Sequence, residues 1–65
     1  MSPIEVKRDR AIFLLGQKMN PRVVKEFSDI LATLVSASKS SMDSDTRDEA
    51  GAALSAIEKA LKEAR

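Results

Sequence analysis

The sequence predicts an all-α fold, a small three-helix bundle with helices near residues 3–17, 21–38 and 46–63. Apolar residues in segment 20–38 recur at steps of three and four, which places them on one face of a helix. No segment alternates apolar and polar residues, and no Asn-Gly or Asp-Gly pair marks a hairpin between strands. With 65 residues, the chain is expected to form one helical domain, 1–65.

The first helix is predicted from the signals at its beginning. Ser2 is a typical capping residue, Pro3 suits the first helical position, and Glu5 completes a capping box with Ser2. Met1 and Val6 have the spacing of a hydrophobic staple across the same cap. These signals predict a helix that begins at Pro3 and ends near residue 17.

Apolar residues lie on two sides of this first helix. Val6 and Phe13 share a side with Arg10, and Leu14 lies between the two sides. The opposite side consists of Ile4, Ala11, Ile12, Leu15 and Met19. A helix that is apolar on two sides is usually covered on both, either within the monomer or by another molecule.

The second helix has a similar beginning, because Asn20 can cap it and Pro21 suits its first position. Its short connection to the first helix predicts a helical hairpin. Serine competes for backbone hydrogen bonds and weakens a helix interior, so the serine-rich segment after residue 35 should end the helix. We expect residues 39–44 to form the second connection.

The third helix is predicted to begin near Thr46, which forms a capping box with Glu49. Alanines beside its apolar seam would allow a neighbouring helix to approach closely. An alternative is a long helical hairpin that dimerises into a four-helix bundle, with the first helix as an arm. The expected core consists of Val24, Phe27, Leu31, Leu34, Leu54, Ile57 and Leu61, together with Ile4, Ile12 and Leu15.

The composition argues against catalysis. The chain has no His and no Cys, which removes the usual general base, the thiol nucleophile and the commonest metal ligands. Its one acidic cluster, at residues 43–49, lacks the spacing of a calcium loop and is interpreted as a charged helix start. We therefore expect no enzymatic activity, no catalytic residue, no cofactor and no bound metal.

The surplus apolar surface of the first helix predicts a protein-interaction module. If one side of the helix packs in the bundle, the other side remains exposed with Val6, Arg10, Phe13 and Leu14. An exposed apolar patch on so small a protein usually marks an interface. The expected partner is another protein or a second copy of the chain, and the expected role is that of a small regulator, adaptor or inhibitor.

A DNA-binding regulator is the alternative interpretation. Basic residues could line one edge of the first hairpin, namely Lys7, Arg8, Lys18, Arg22 and Lys25. The formal net charge of only +1 argues against it, because phosphate binding normally requires a clear basic excess. Few basic residues at the start of the second helix could contact base edges. Nucleic acid is therefore the less favoured partner.

The sequence also predicts a soluble, cytoplasmic protein. The longest apolar run near the amino terminus covers residues 11–15 and is shorter than the apolar segment of a secretory signal. No run approaches the roughly 20 apolar residues of a membrane-spanning helix. A membrane is therefore not expected as a partner.

Overall fold

A computed structural model describes residues 2–40 and 42–64, and these residues form a small all-α bundle of three helices. The helices are α1 (Pro3–Leu15), α2 (Pro21–Ser40) and α3 (Ser44–Glu63). The predicted fold class is confirmed. Helix α3 packs extensively on both other helices, whereas α1 and α2 share the smallest of the helix–helix contacts.

The beginnings of α1 and α2 are capped by the predicted residues. The Ser2 hydroxyl accepts a hydrogen bond from the Glu5 N–H at 3.1 Å, and the Asn20 side-chain oxygen accepts one from the Val23 N–H at 3.0 Å. Both bonds satisfy N–H groups that have no partner within the first helical turn. The predicted staple involves Met1, which lies outside the described residues.

Helix α1 ends at Leu15, before the predicted residue 17. The Gly16 N–H donates to the Phe13 carbonyl at 3.1 Å, and the Gln17 N–H donates to the Leu14 carbonyl at 3.0 Å. Each of these bonds reaches only three residues back, which tightens the last turn and stops the α-helical pattern.

Helix α2 continues to Ser40, so the prediction that residues 39 and 40 belong to a connection is wrong. The serine hydroxyls bond to the carbonyls of their own helix: Ser38 donates to Val35 at 2.7 Å and Ser40 donates to Ser36 at 2.7 Å. Serine side chains bonded in this way are compatible with helical backbone, so the serine-rich segment does not end α2 before Ser40.

Helix α3 begins at Ser44, and the predicted capping box at Thr46 is wrong. Asp43 is the cap, since its carboxylate accepts from the Asp45 N–H at 3.0 Å and from the Thr46 hydroxyl at 3.1 Å. Glu49 instead accepts a hydrogen bond from the Ser2 hydroxyl. This bond places the beginnings of α1 and α3 at the same end of the bundle.

The core lies where the three helices meet. Predicted core residues Leu34 and Ile57 are buried, but Val24, Ile12 and Leu61 are exposed at 50%, 37% and 42%. Val23 packs against the core in place of Val24, because successive residues of a helix point about 100° apart. The buried cluster consists of Ala11, Leu14, Ile30, Leu34, Ala53 and Ile57.

Candidate interaction surface between α1 and α2

A groove of about 320 Å³ lies between α1 and α2, and we call it the α1–α2 groove. These two helices share less contact with each other than either shares with α3. Residues at helical spacings of three and four supply each wall, so that one face of each helix lines the groove. Its lining residues are Val6, Lys7 and Arg10 from α1, and Glu26, Asp29, Ile30 and Thr33 from α2.

The two walls of the groove carry opposite charges. Lys7 and Arg10 make the α1 wall basic, whereas Glu26 and Asp29 make the α2 wall acidic. Arg10 pairs with Glu26 across the groove, and the two helices run in opposite directions. Lys7 lies three residues before Arg10 in α1, and Asp29 lies three residues after Glu26 in α2. Because the two helices are antiparallel, Lys7 is therefore level with Asp29 across the groove.

Arg10 and Glu26 form a two-pronged ion pair across the groove. The Arg10 Nε donates to Glu26 Oε2 at 2.6 Å, and its Nη2 donates to Oε1 at 3.0 Å. These hydrogen bonds lower the pKa of the Glu26 carboxyl and raise the pKa of the Arg10 guanidinium. Solvent reaches both side chains, so the pair serves to fix the position of Arg10 more than to hold the fold together.

Arg10 also lies over the ring of Phe13, with its guanidinium carbon 5.2 Å from the ring centre. This distance falls within the range of cation–π attraction. Arg10 is thus held by Glu26 on one side and by Phe13 on the other. The arrangement gives the exposed side of α1 a defined shape.

The structure separates the residues that the sequence assigned to an interaction surface. Val6 and Phe13 are 51% and 55% exposed, and Arg10 lies between them on the same side of α1. Leu14 is only 2% exposed, so the expectation that it would remain on the surface is wrong. It packs in the core cluster with Ala11. The surface of α1 that lies between its two apolar sides therefore packs against the other two helices.

The α2 wall of the groove was missed by the sequence analysis. Glu26, Asp29 and Thr33 lie at steps of three and four beside the apolar stripe of α2, and this spacing is the signal that could have identified them. Lys7 was assigned to the nucleic-acid alternative and not to a protein-binding surface. The register of the hairpin, which brings these residues opposite α1, could not be read from either helix alone.

The basic residues proposed for nucleic acid lie in different surroundings. Lys7 lines the groove opposite acidic residues, and Arg8 pairs with Asp9 at 2.9 Å. Neighbouring residues on a helix point about 100° apart, which separates Lys7 from Arg8. Lys18, Arg22 and Lys25 are exposed near the turn between α1 and α2.

Other classes of site find little support in residues 2–40 and 42–64. Within these ranges, no three acidic side chains are grouped so that they could hold a metal ion. No helix in the same ranges combines the length and the apolar character needed to cross a membrane. The α1–α2 groove therefore remains the feature with the clearest chemical character.

The fold and the groove together define a small helical bundle. Its surface between α1 and α2 is partly apolar and carries both positive and negative charges. Comparison with protein-family models, with curated proteins and with solved structures gave no match to the chain.

Proposed function

We propose that the chain is a non-catalytic protein-interaction module, a small regulator, adaptor or inhibitor, which binds its partner through the exposed side of α1. One observation carries the proposal. Val6 and Phe13 lie seven residues apart on one side of α1, and each exposes more than half of its surface around Arg10. An aromatic ring, an arginine and an aliphatic side chain together have the composition of an interface centre.

The fixed position of Arg10 supports this role. A long side chain that is free in solution loses conformational entropy when a partner immobilises it, at a cost of about 0.5–1.5 kcal/mol. Glu26 and Phe13 already hold Arg10 in place before any partner binds. The surface is therefore partly organised for binding in the isolated chain.

The chemistry of the groove favours binding over catalysis. Its ionisable groups are two cations and two carboxylates. Arg10 lowers the pKa of Glu26, which keeps that carboxylate ionised near neutral pH and unsuited to act as a general acid. The charged groups can orient a partner, and the apolar groups can exclude water from the contact.

A matched pair of substitutions tests the proposal. Val6 and Val24 are both valines, both occupy the fourth position of their helices, and they are 51% and 50% exposed. Val6 lines the α1–α2 groove, whereas Val24 is not among its lining residues. We expect Val6→Asp to weaken partner binding at least about tenfold, because it places a charge in the apolar part of the contact. Val24→Asp should bind as the native chain does.

The assay uses the full chain as bait in native-host extract and, separately, measures its self-association by light scattering. Circular dichroism of both variants checks that helix content is retained. Phe13→Asp should reproduce the loss seen with Val6→Asp. Equal binding by the Val6 and Val24 variants, in both the extract and the self-association measurement, would contradict the proposed function.

A further inference from the structure

We propose that the α1–α2 groove is occupied by a second copy of this chain, related to the first by a twofold axis that runs parallel to the helices. This inference rests on the proposed function and names the partner. In such a dimer, α1 of each copy lies over α2 of the other. The four helices around the axis form an antiparallel bundle.

The charges of the groove are the first argument for a second copy. A partner of a single charge sign would be attracted by one wall and repelled by the other. A second copy brings a basic α1 wall and an acidic α2 wall of its own. The groove is therefore complementary to itself, as a twofold interface requires.

The register of the hairpin is the second argument. Rotation about an axis parallel to the helices does not change the position of any residue along that axis. Lys7 of one copy is therefore level with Asp29 of the other. Arg10 of one copy is likewise level with Glu26 of the other, because these two residues pair across the groove within each chain. On each side of the axis, the cations of α1 in one copy then face the carboxylates of α2 in the other.

A second twofold arrangement, with its axis also in the plane of the interface, is disfavoured by these charges. An axis perpendicular to the helices would lay α1 over α1 and α2 over α2. Lys7 and Arg10 would then face the same two cations, and Glu26 and Asp29 would face the same two carboxylates. Like charges brought together across an interface oppose association.

Arg22 is a further cation on α2, and its position is compatible with the proposed dimer. Arg22 lies one turn before Glu26 and therefore on the same side of α2. In the proposed arrangement it lies about 1.5 Å along the axis from the height of Phe13 in the other copy, where an exposed aromatic ring can accept a cation. Val6 lies at the opposite end of α1 and supplies an apolar contact there.

The size of the surface sets the expected strength. The 13 residues of α1 extend for about 20 Å, and two neighbouring helices present a width of about 20 Å. A plan area of roughly 400 Å² is smaller than the ~800 Å² that each partner buries in an interface of standard size. The dimer should therefore be weak, with a dissociation constant above about 1 μM.

Charge reversal in two variants tests both the partner and the axis. Lys7→Glu alone places carboxylates opposite Asp29 of the other copy, and Asp29→Lys alone places cations opposite Lys7. We expect each variant alone to dimerise at least about tenfold more weakly than the native chain. An equimolar mixture of the two should form a heterodimer about as tight as the native dimer, because every reversed charge meets its opposite.

Sedimentation equilibrium at protein concentrations up to about 1 mM measures these constants. Circular dichroism confirms that the variants fold. A mixture that associates no better than its components would overturn the proposed axis, and a native chain that stays monomeric throughout would overturn the second copy as occupant. A monomeric chain that still retains another protein through Val6, but not through Val24, would leave the proposed function standing.

Discussion

Two neighbouring residues of α1 should contribute very different amounts to the stability of the fold. Leu14 is 2% exposed and Phe13 is 55% exposed, although both are large apolar residues of the same helical turn. The test replaces Leu14 with alanine in one variant and Phe13 with alanine in another. If the core is arranged as described, Leu14→Ala destabilises the fold strongly and Phe13→Ala only weakly.

The magnitude follows from burial. Leu14→Ala removes about three buried methyl or methylene groups at about 0.8 kcal/mol each, and the cavity left behind adds to this loss. Ala11 and Ala53 in the same cluster have no flexible side chains with which to fill the space. We expect a loss of about 3–4 kcal/mol. Because about half of Phe13 stays in water in the folded state, Phe13→Ala should cost only about 1 kcal/mol.

A loss of this size is a large fraction of the total stability. A chain of 65 residues has a free energy of unfolding of roughly 3–10 kcal/mol. Urea denaturation followed by circular dichroism measures both variants, at a low protein concentration so that self-association does not contribute. A Phe13→Ala loss as large as the Leu14→Ala loss would refute the assignment of Phe13 to the surface.

Two further predictions concern the helices outside the core. Gly51→Ala should stabilise the chain by about 0.5–1 kcal/mol, measured by thermal denaturation, because a Cβ there meets no atom within 4 Å and alanine favours helix. A lower melting temperature would contradict this reasoning. Native chain and Glu26→Gln should differ most in stability above pH 4.5, the ordinary pKa of glutamate, because the lowered pKa of Glu26 keeps its pair with Arg10 formed there. The difference should shrink as the pH falls through that lowered pKa, and urea midpoints that differ equally at about pH 7 and about pH 3 would contradict the link to Glu26.

The fold class could be predicted because local signals agree with the tertiary structure. Ser2 and Asn20 cap their helices as expected, since a cap depends only on residues within one turn. The boundaries around Ser40 and Asp43 could not be predicted as well. There the same residue types can either end a helix or bond back to it, and the choice depends on side-chain geometry.

The candidate surface could be predicted only in part. The two apolar sides of the first helix predicted that Val6 and Phe13 would remain exposed, and both are exposed. Leu14 lies between those sides, and its burial depends on where α3 approaches α1. Nothing in one helix fixes that direction, so the position of the groove required the packing of all three helices.

The distribution of small residues explains why the groove lies between α1 and α2. Ala11, Ala50 and Ala53 are buried, and side chains this small allow the backbones of two helices to approach closely. Ala11 belongs to α1 and Ala53 to α3, in one cluster, so this packing draws α1 towards α3. Helix α1 consequently shares less contact with α2, and long polar side chains span the gap in place of apolar packing. The same packing that brings α1 against α3 therefore leaves Val6 and Phe13 exposed on the side of α1 that faces away from α3, and it leaves the charged walls accessible between α1 and α2.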